Sequence, residues 1–123
     1  DISGISELVA PHTSWFDGVS CLSGKDGTDL TIDILKNAPH YLNKDGILYF
    51  PVISLSNHKK IDNYVNKTYK IISKNTYDWP MPKDLKEHLP FLEILKKNNY
   101  IDYKTTFGIT QCWTTIYGAT PRW

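Results

Sequence analysis

The stretch from Ser23 to Ile53 constrains the chain most, because each junction in it carries the residue that its backbone geometry favours. Ser23-Gly24-Lys25-Asp26-Gly27 reads as a loop, with Gly24 and Gly27 free to take positive φ without a steric penalty. Thr28 or Asp29 can cap the first free N–H groups of a helix. Leu30, Ile34, Leu35, Ala38, Tyr41 and Leu42 recur at helical spacing, so one face is expected to pack on a sheet and to leave Asp33, Lys36 and Asn37 in water. Pro39 predicts a kink or a looser last turn. Asp45-Gly46 closes a turn, and Ile47 to Ile53 is a nearly continuous apolar run, the pattern of a strand covered on both faces. Pro51 forfeits a ladder donor there, which predicts a bulge near the strand's carboxyl end.

The order of loop, helix, turn and apolar strand, headed by Gly24-Lys25-Asp26-Gly27-Thr28, resembles one segment of the class I methyltransferases that use S-adenosylmethionine. That segment is the crossover from their fourth to their fifth strand, and the closest likeness is to the branch of release-factor glutamine and ribosomal-RNA guanine methyltransferases. The resemblance implies an α/β fold: the C-terminal half of a Rossmann-like methyltransferase sheet, with parallel strands, an antiparallel final strand and helices on both faces. Residues 1–123 would then be a single domain or part-domain on the substrate side, with S-adenosylmethionine held mainly by an N-terminal half upstream of Asp1. Two features agree with that expectation: Met81 is the only methionine, and the chain carries no glycine-rich turn after a strand with an acidic residue placed for a ribose.

The resemblance also sets Asp1-Ile2-Ser3-Gly4 at the end of the fourth strand, where amide and base methylases carry Asn/Asp-Pro-Pro-Tyr. Asp1 fills the first place, whereas Ile2, Ser3 and Gly4 depart from the motif and put nitrogen methylation of a planar group in doubt. By this reading Asp1 is the catalytic residue, orienting the acceptor or taking its proton, and Ser3 and Gly4 contact the substrate. Trp15, Phe16, Gly24 and Asp26 belong to the loops that wall the pocket, although an aromatic pair such as Trp15 and Phe16 more often anchors its loop to the body. The implied activity is methyl transfer to an unidentified acceptor, whether protein, RNA or small molecule. The alternative is a non-catalytic α/β binding or interaction module on the same scaffold.

Further along, Ser54 to Asn57 supplies N-cap candidates for a helix from His58 to about Lys67, with Ile61, Tyr64 and Val65 on one face and Lys59, Lys60 and Lys67 on the wet side. Thr68 to Lys74 predicts a strand and Asn75 to Pro82 a turn. A second amphipathic helix is expected from Lys83 to Lys97, interrupted near Pro90. Ile101 to Phe107 starts a strand, and Ile109 to Tyr117 alternates as an antiparallel final strand with Gly108 at a bend. In the methyltransferases such a strand is inserted between the fifth and sixth. Gly118 to Trp123 reads as a tail.

A length of 123 residues suits one domain, and a formal charge of +1 gives no electrostatic case for general binding to nucleic acid or membrane, while leaving room for a local basic patch. Cys21 and Cys112 are read as reduced, with a single bridge as the alternative, weakly favoured by the sequon Asn66-Lys67-Thr68. His12, His40, His58 and His88 lack metal-ligand spacing, so no metal is expected, and His12 is read as facing solvent. No apolar run can span a bilayer, and a cytoplasmic location is the default expectation.

Overall fold

The computed structural model describes residues 4–16 and 20–123. Four strands, β1 (Leu48–Ile53), β2 (Tyr69–Pro80), β3 (Lys104–Thr106) and β4 (Ile109–Pro121), form one sheet of order β1-β4-β2, with β3 also paired to β4. Every pairing is antiparallel, which overturns the parallel, Rossmann-like sheet expected from the sequence. The last strand lies between β1 and β2, so those two run the same way without touching each other's ladder. Gln111 pairs with Pro80 on one edge and with Lys104 on the other, which sets β3 beyond the end of β1 on the same edge of β4.

The local reasons for the misreading are visible in β1. It pairs only with β4, in unbroken register from Leu48–Ala119 to Ile53–Thr114. Its apolar run is therefore not buried on both faces: Phe50 and Val52 are inside, while Tyr49 is exposed. Pro51 makes no bulge, because an edge strand tolerates a missing N–H on its unpaired side. The irregularity falls instead between Ile71 and Ser73 of β2. That strand runs on through most of the turn expected at Asn75 to Pro82, since Asn75–Pro80 pairs continuously with Ile116–Gln111 of β4, while at the other end β4 extends to Pro121, opposite Tyr69, through most of the expected tail.

The helices are α1 (Asp29–Asn37), α2 (His58–Thr68), α3 (Lys83–Lys86) and α4 (Leu89–Lys97). Pro39 ends α1 early and turns Ala38–His40 into a 3-10 helix. The buried face of α1 is Thr31 and Leu35, whereas Leu30 and Tyr41, expected inside, are exposed. Asn57 caps α2 by accepting from the Lys60 N–H at 3.2 Å, and Ile61 and Val65 face inward. Phe107 and Gly108 take φ of 51° and 76° in the turn from β3 to β4, a conformation that glycine adopts without strain.

Two apolar clusters lie on the two faces of the sheet. One joins Leu35, Ile61 and Val65 of the first two helices to Phe50, Tyr69 and Tyr117, and the Phe50 and Tyr117 rings, opposite each other in register, stack at 5.1 Å. The other joins Ile5 and Val9 to Met81, Leu85, Leu92, Leu95 and Cys112. Both cysteines are free thiols, and burial pushes Cys112 up to about 12, so it stays protonated at neutral pH. No described helix is long and apolar enough to cross a membrane.

Candidate functional site

Three segments meet just past the carboxyl end of β1. The Ser6 N–H donates to the Leu55 carbonyl at 2.8 Å, and the Asn57 N–H to the Asp26 carbonyl at 2.7 Å. The Ser6 hydroxyl donates to the Lys25 carbonyl. The loop is tied to the opening segment a second time by Glu7, whose N–H donates to the Gly24 carbonyl at 2.9 Å while its carboxylate accepts from the Gly24 N–H at 2.8 Å. Glycine is required at the crossing points. A Cβ on Gly4 would lie 2.5 Å from the Gly27 carbonyl oxygen, and one on Gly27, at φ +73°, would lie 2.6 Å from both the Ile5 carbonyl carbon and the Ser6 nitrogen.

Asp26 shapes the loop. Its carboxylate accepts from the Thr28 N–H at 3.2 Å and the Thr28 hydroxyl at 2.6 Å, a local turn of the kind short acidic side chains make. Thr28 stands at the N-cap position of α1 but spends its hydroxyl on Asp26 rather than on the helix, contrary to the expected cap. Lys60 approaches Asp26 from α2 at 3.6 Å.

Of the residues singled out from the sequence, Gly4, Gly24 and Asp26 are brought together here. Asp1 and Ser3 lie outside the described residues. Trp15 is half exposed with its ring 5.9 Å from Trp79, and Phe16 packs on the cluster around Val9 and Leu85. Both contacts are those of a loop anchor. His12, expected to face solvent, sits 4.3 Å from the His88 ring and 5.2 Å from that of Phe91.

A second polar constellation follows directly on the first. His58, first residue of α2, is joined through Nε2 to Asp102 Oδ2 at 2.9 Å, and each side chain is about a quarter exposed (25% and 24%). Asp102 is itself held: its N–H donates to the Ser54 carbonyl at 2.6 Å, its Oδ1 accepts from the Tyr103 N–H, and Lys96 stands 3.7 Å away. His58 borders a groove of about 410 Å³ between α2 and the sheet, lined also by Lys74, Thr76, Trp113 and Tyr117. Sequence spacing could not announce this pair, because its members lie 44 residues apart and the pairing of both β1 and β3 with β4 brings Asp102 back to Ser54. An aspartate fixing one imidazole nitrogen orients the other, an arrangement suited to accepting or relaying a proton. Among the described residues no group of histidine, cysteine and carboxylate side chains could hold a metal ion.

Across that groove Asp62 accepts from Lys74 Nζ at 2.9 Å and from the Tyr117 hydroxyl at 2.7 Å. Burial raises the Asp62 carboxyl, but the hydrogen bonds from Lys74 and Tyr117 and the charges of Lys74 and His58 outweigh it and leave it below its ordinary value of 3.8. Burial, and then the same contact with Asp62, push the Tyr117 phenol up. A carboxyl held low when folded binds its proton more readily once unfolded, so its stabilisation is complete above pH 3.8 and is lost as pH falls through the folded value. Asp62→Asn is therefore expected to lower stability at neutral pH and to flatten the acid limb of the stability profile, as measured by urea unfolding from about pH 6 to about pH 2. An unchanged acid limb would remove Asp62 from the account.

Compared with protein-family models, with curated proteins and with solved structures, the chain matches none of them.

Proposed function

We propose that this chain supplies the acceptor side of an S-adenosylmethionine-dependent methyl-transfer site at the carboxyl end of β1. The observation that carries the reading is the Ser6 to Leu55 hydrogen bond, which brings residues 4–7 to the end of β1 beside the Gly24–Gly27 loop. In the proteins that the sequence resembles, the equivalent segment positions the acceptor. This junction and the residues that form it do not require a parallel sheet.

The described residues do not fit the cofactor itself. The spaces beside Gly4, Gly24 and Gly27 are filled by the chain's own atoms, with no open cradle for a nucleoside or an amino-acid tail. The part assigned to this chain is orientation: Asp1 would hold the acceptor or take its proton and Ser3 would add a contact, while Gly4, buried against Gly27 and Ser23, fixes the junction rather than touching the acceptor. Placing an acceptor in line with an activated methyl group is mostly a matter of proximity and alignment, which a rigid junction of this kind can supply.

One observation favours the alternative of a non-catalytic binding module. The polar groups of the loop largely satisfy one another, as in the pairs Ser6 with Lys25, Asp26 with Thr28 and Glu7 with Gly24, leaving few donors to offer a ligand. Calorimetric titration of the intact protein with S-adenosylmethionine separates the two. Under the transferase reading saturable heat accompanies methyl transfer, and Asp1→Ala loses the transfer but keeps the heat; under the module reading neither is seen. No heat at millimolar ligand would overturn the transferase reading.

A further inference from the structure

The chain is nearly neutral overall, yet its positive charge is not evenly spread. Between α1 and α2 lies a groove of about 700 Å³ whose lining includes Lys36 from the first helix and Lys59, Lys60 and Lys67 from the second. Ile32 and Tyr64 contribute apolar surface to it, and no carboxylate lines it. The acidic residues of the surrounding elements are engaged or turned elsewhere. Asp62 is taken by Lys74 and Tyr117 on the sheet side of α2, Asp33 accepts from the Asn37 amide on α1, and the Asp29 carboxylate lies beside Gly24. Asp26 is taken up by the Thr28 N–H and hydroxyl and, of the lysines lining the groove, approaches only Lys60, at 3.6 Å. Among the described residues Lys36, Lys59 and Lys67 have no ion-pair partner.

We infer that this groove binds the phosphate backbone of a single-stranded polynucleotide, independently of sequence. The inference does not rest on the methyl-transfer reading. Spacing is the first reason: Lys59 and Lys67 are eight residues apart on one helix, about 12 Å along its axis, and Lys36 faces them from the other wall. A strand presents its phosphates in series, so cations this far apart can each meet a different one, whereas a lone phosphate could engage only part of the set. Side-chain type is the second: every cation is lysine, a flexible point charge that binds phosphate oxygens without imposing the planar, two-pronged geometry of a guanidinium. Shape is the third. A concave channel with an aromatic ring in its lining suits a flexible strand whose bases can stack, and not a flat anionic bilayer.

The test uses the full chain and fluorescence anisotropy with labelled oligouridylate and oligothymidylate. Both are expected to bind at low salt, with log affinity falling against log salt at a slope of about −2 to −3, as release of counterions by three or four lysines requires on a single strand. Joint substitution Lys36→Glu, Lys59→Glu and Lys67→Glu is expected to weaken both by more than about tenfold with unchanged thermal unfolding, while Lys83→Glu with Lys86→Glu on α3 changes them less than about twofold. Equal losses in the two variants, a flat salt dependence, or retention on phosphatidylserine vesicles without binding of either oligonucleotide would each overturn the assignment. So would equally tight, equally groove-dependent binding of polyglutamate, since the site would then not select phosphate.

Discussion

Phe50→Ala is expected to destabilise the chain by about 3–5 kcal/mol, a large part of the stability of an ordinary small domain. Phe50 is 1% exposed, stacks on Tyr117 across the β1 to β4 ladder, and belongs to the cluster that also receives Leu35 from α1 and Ile61 and Val65 from α2. Truncation removes the ring's transfer free energy and leaves a cavity that two helices and two strands must close together. Strand atoms locked in a ladder cannot move far to fill it, so the cost is expected near the upper part of the range. The midpoint of thermal unfolding should fall by roughly 10–20 °C. A shift of only a few degrees would mean that this face of the sheet is not packed as described.

Gly27→Ala is expected to do more than strain a loop. A left-handed φ costs a residue with a Cβ about 1–2 kcal/mol wherever it occurs. At Gly27 the added carbon would also meet the Ile5 and Ser6 backbone at 2.6 Å and the Ser56 Cβ at 2.9 Å, and backbone atoms cannot step aside as a side chain can. Gly108 supplies the control, for it has φ +76° with nothing within 4 Å of an added Cβ. The loss for Gly27→Ala beyond that for Gly108→Ala measures the collision alone. It should be accompanied by faster amide exchange at Ser6 and Asn57, whose N–H groups tie the opening segment and the loop to the residues after β1. If the two alanine variants lose equal stability, the opening segment does not sit against Gly27 and the proposed acceptor site loses its floor.

The helices were legible in the sequence to the extent that their signals are local. Asn57 and the spacing of Ile61 and Val65 predict α2 and its cap, Pro90 breaks the helical stretch that becomes α3 and α4, and Gly108 marks the bend before β4. Where the sequence misled, a local pattern had two tertiary solutions. An apolar run such as Ile47 to Ile53 is equally consistent with an interior strand and with an edge strand that alternates, and Asn75 to Pro80 is turn-like until a long partner lies beside it. Leu30 and Leu35 look alike in a helical pattern, and only the packing of α1 against α2 decides that the second is buried and the first exposed.

The sites divide in the same way. Gly24, Asp26 and Gly27 are readable because unusual φ and a side-chain-to-backbone turn are written in adjacent residues, and a short loop before α1 follows from them alone. The meeting of that loop with Gly4, the pairing of His58 with Asp102 and the gathering of four lysines into one groove were decided by the tertiary structure. Local residues set dihedral preferences and hydrophobic period, which act over a few positions. Strand order, direction and helix placement are chosen by burying the two apolar clusters at once, and that choice brings residues distant in the chain within a hydrogen bond of each other.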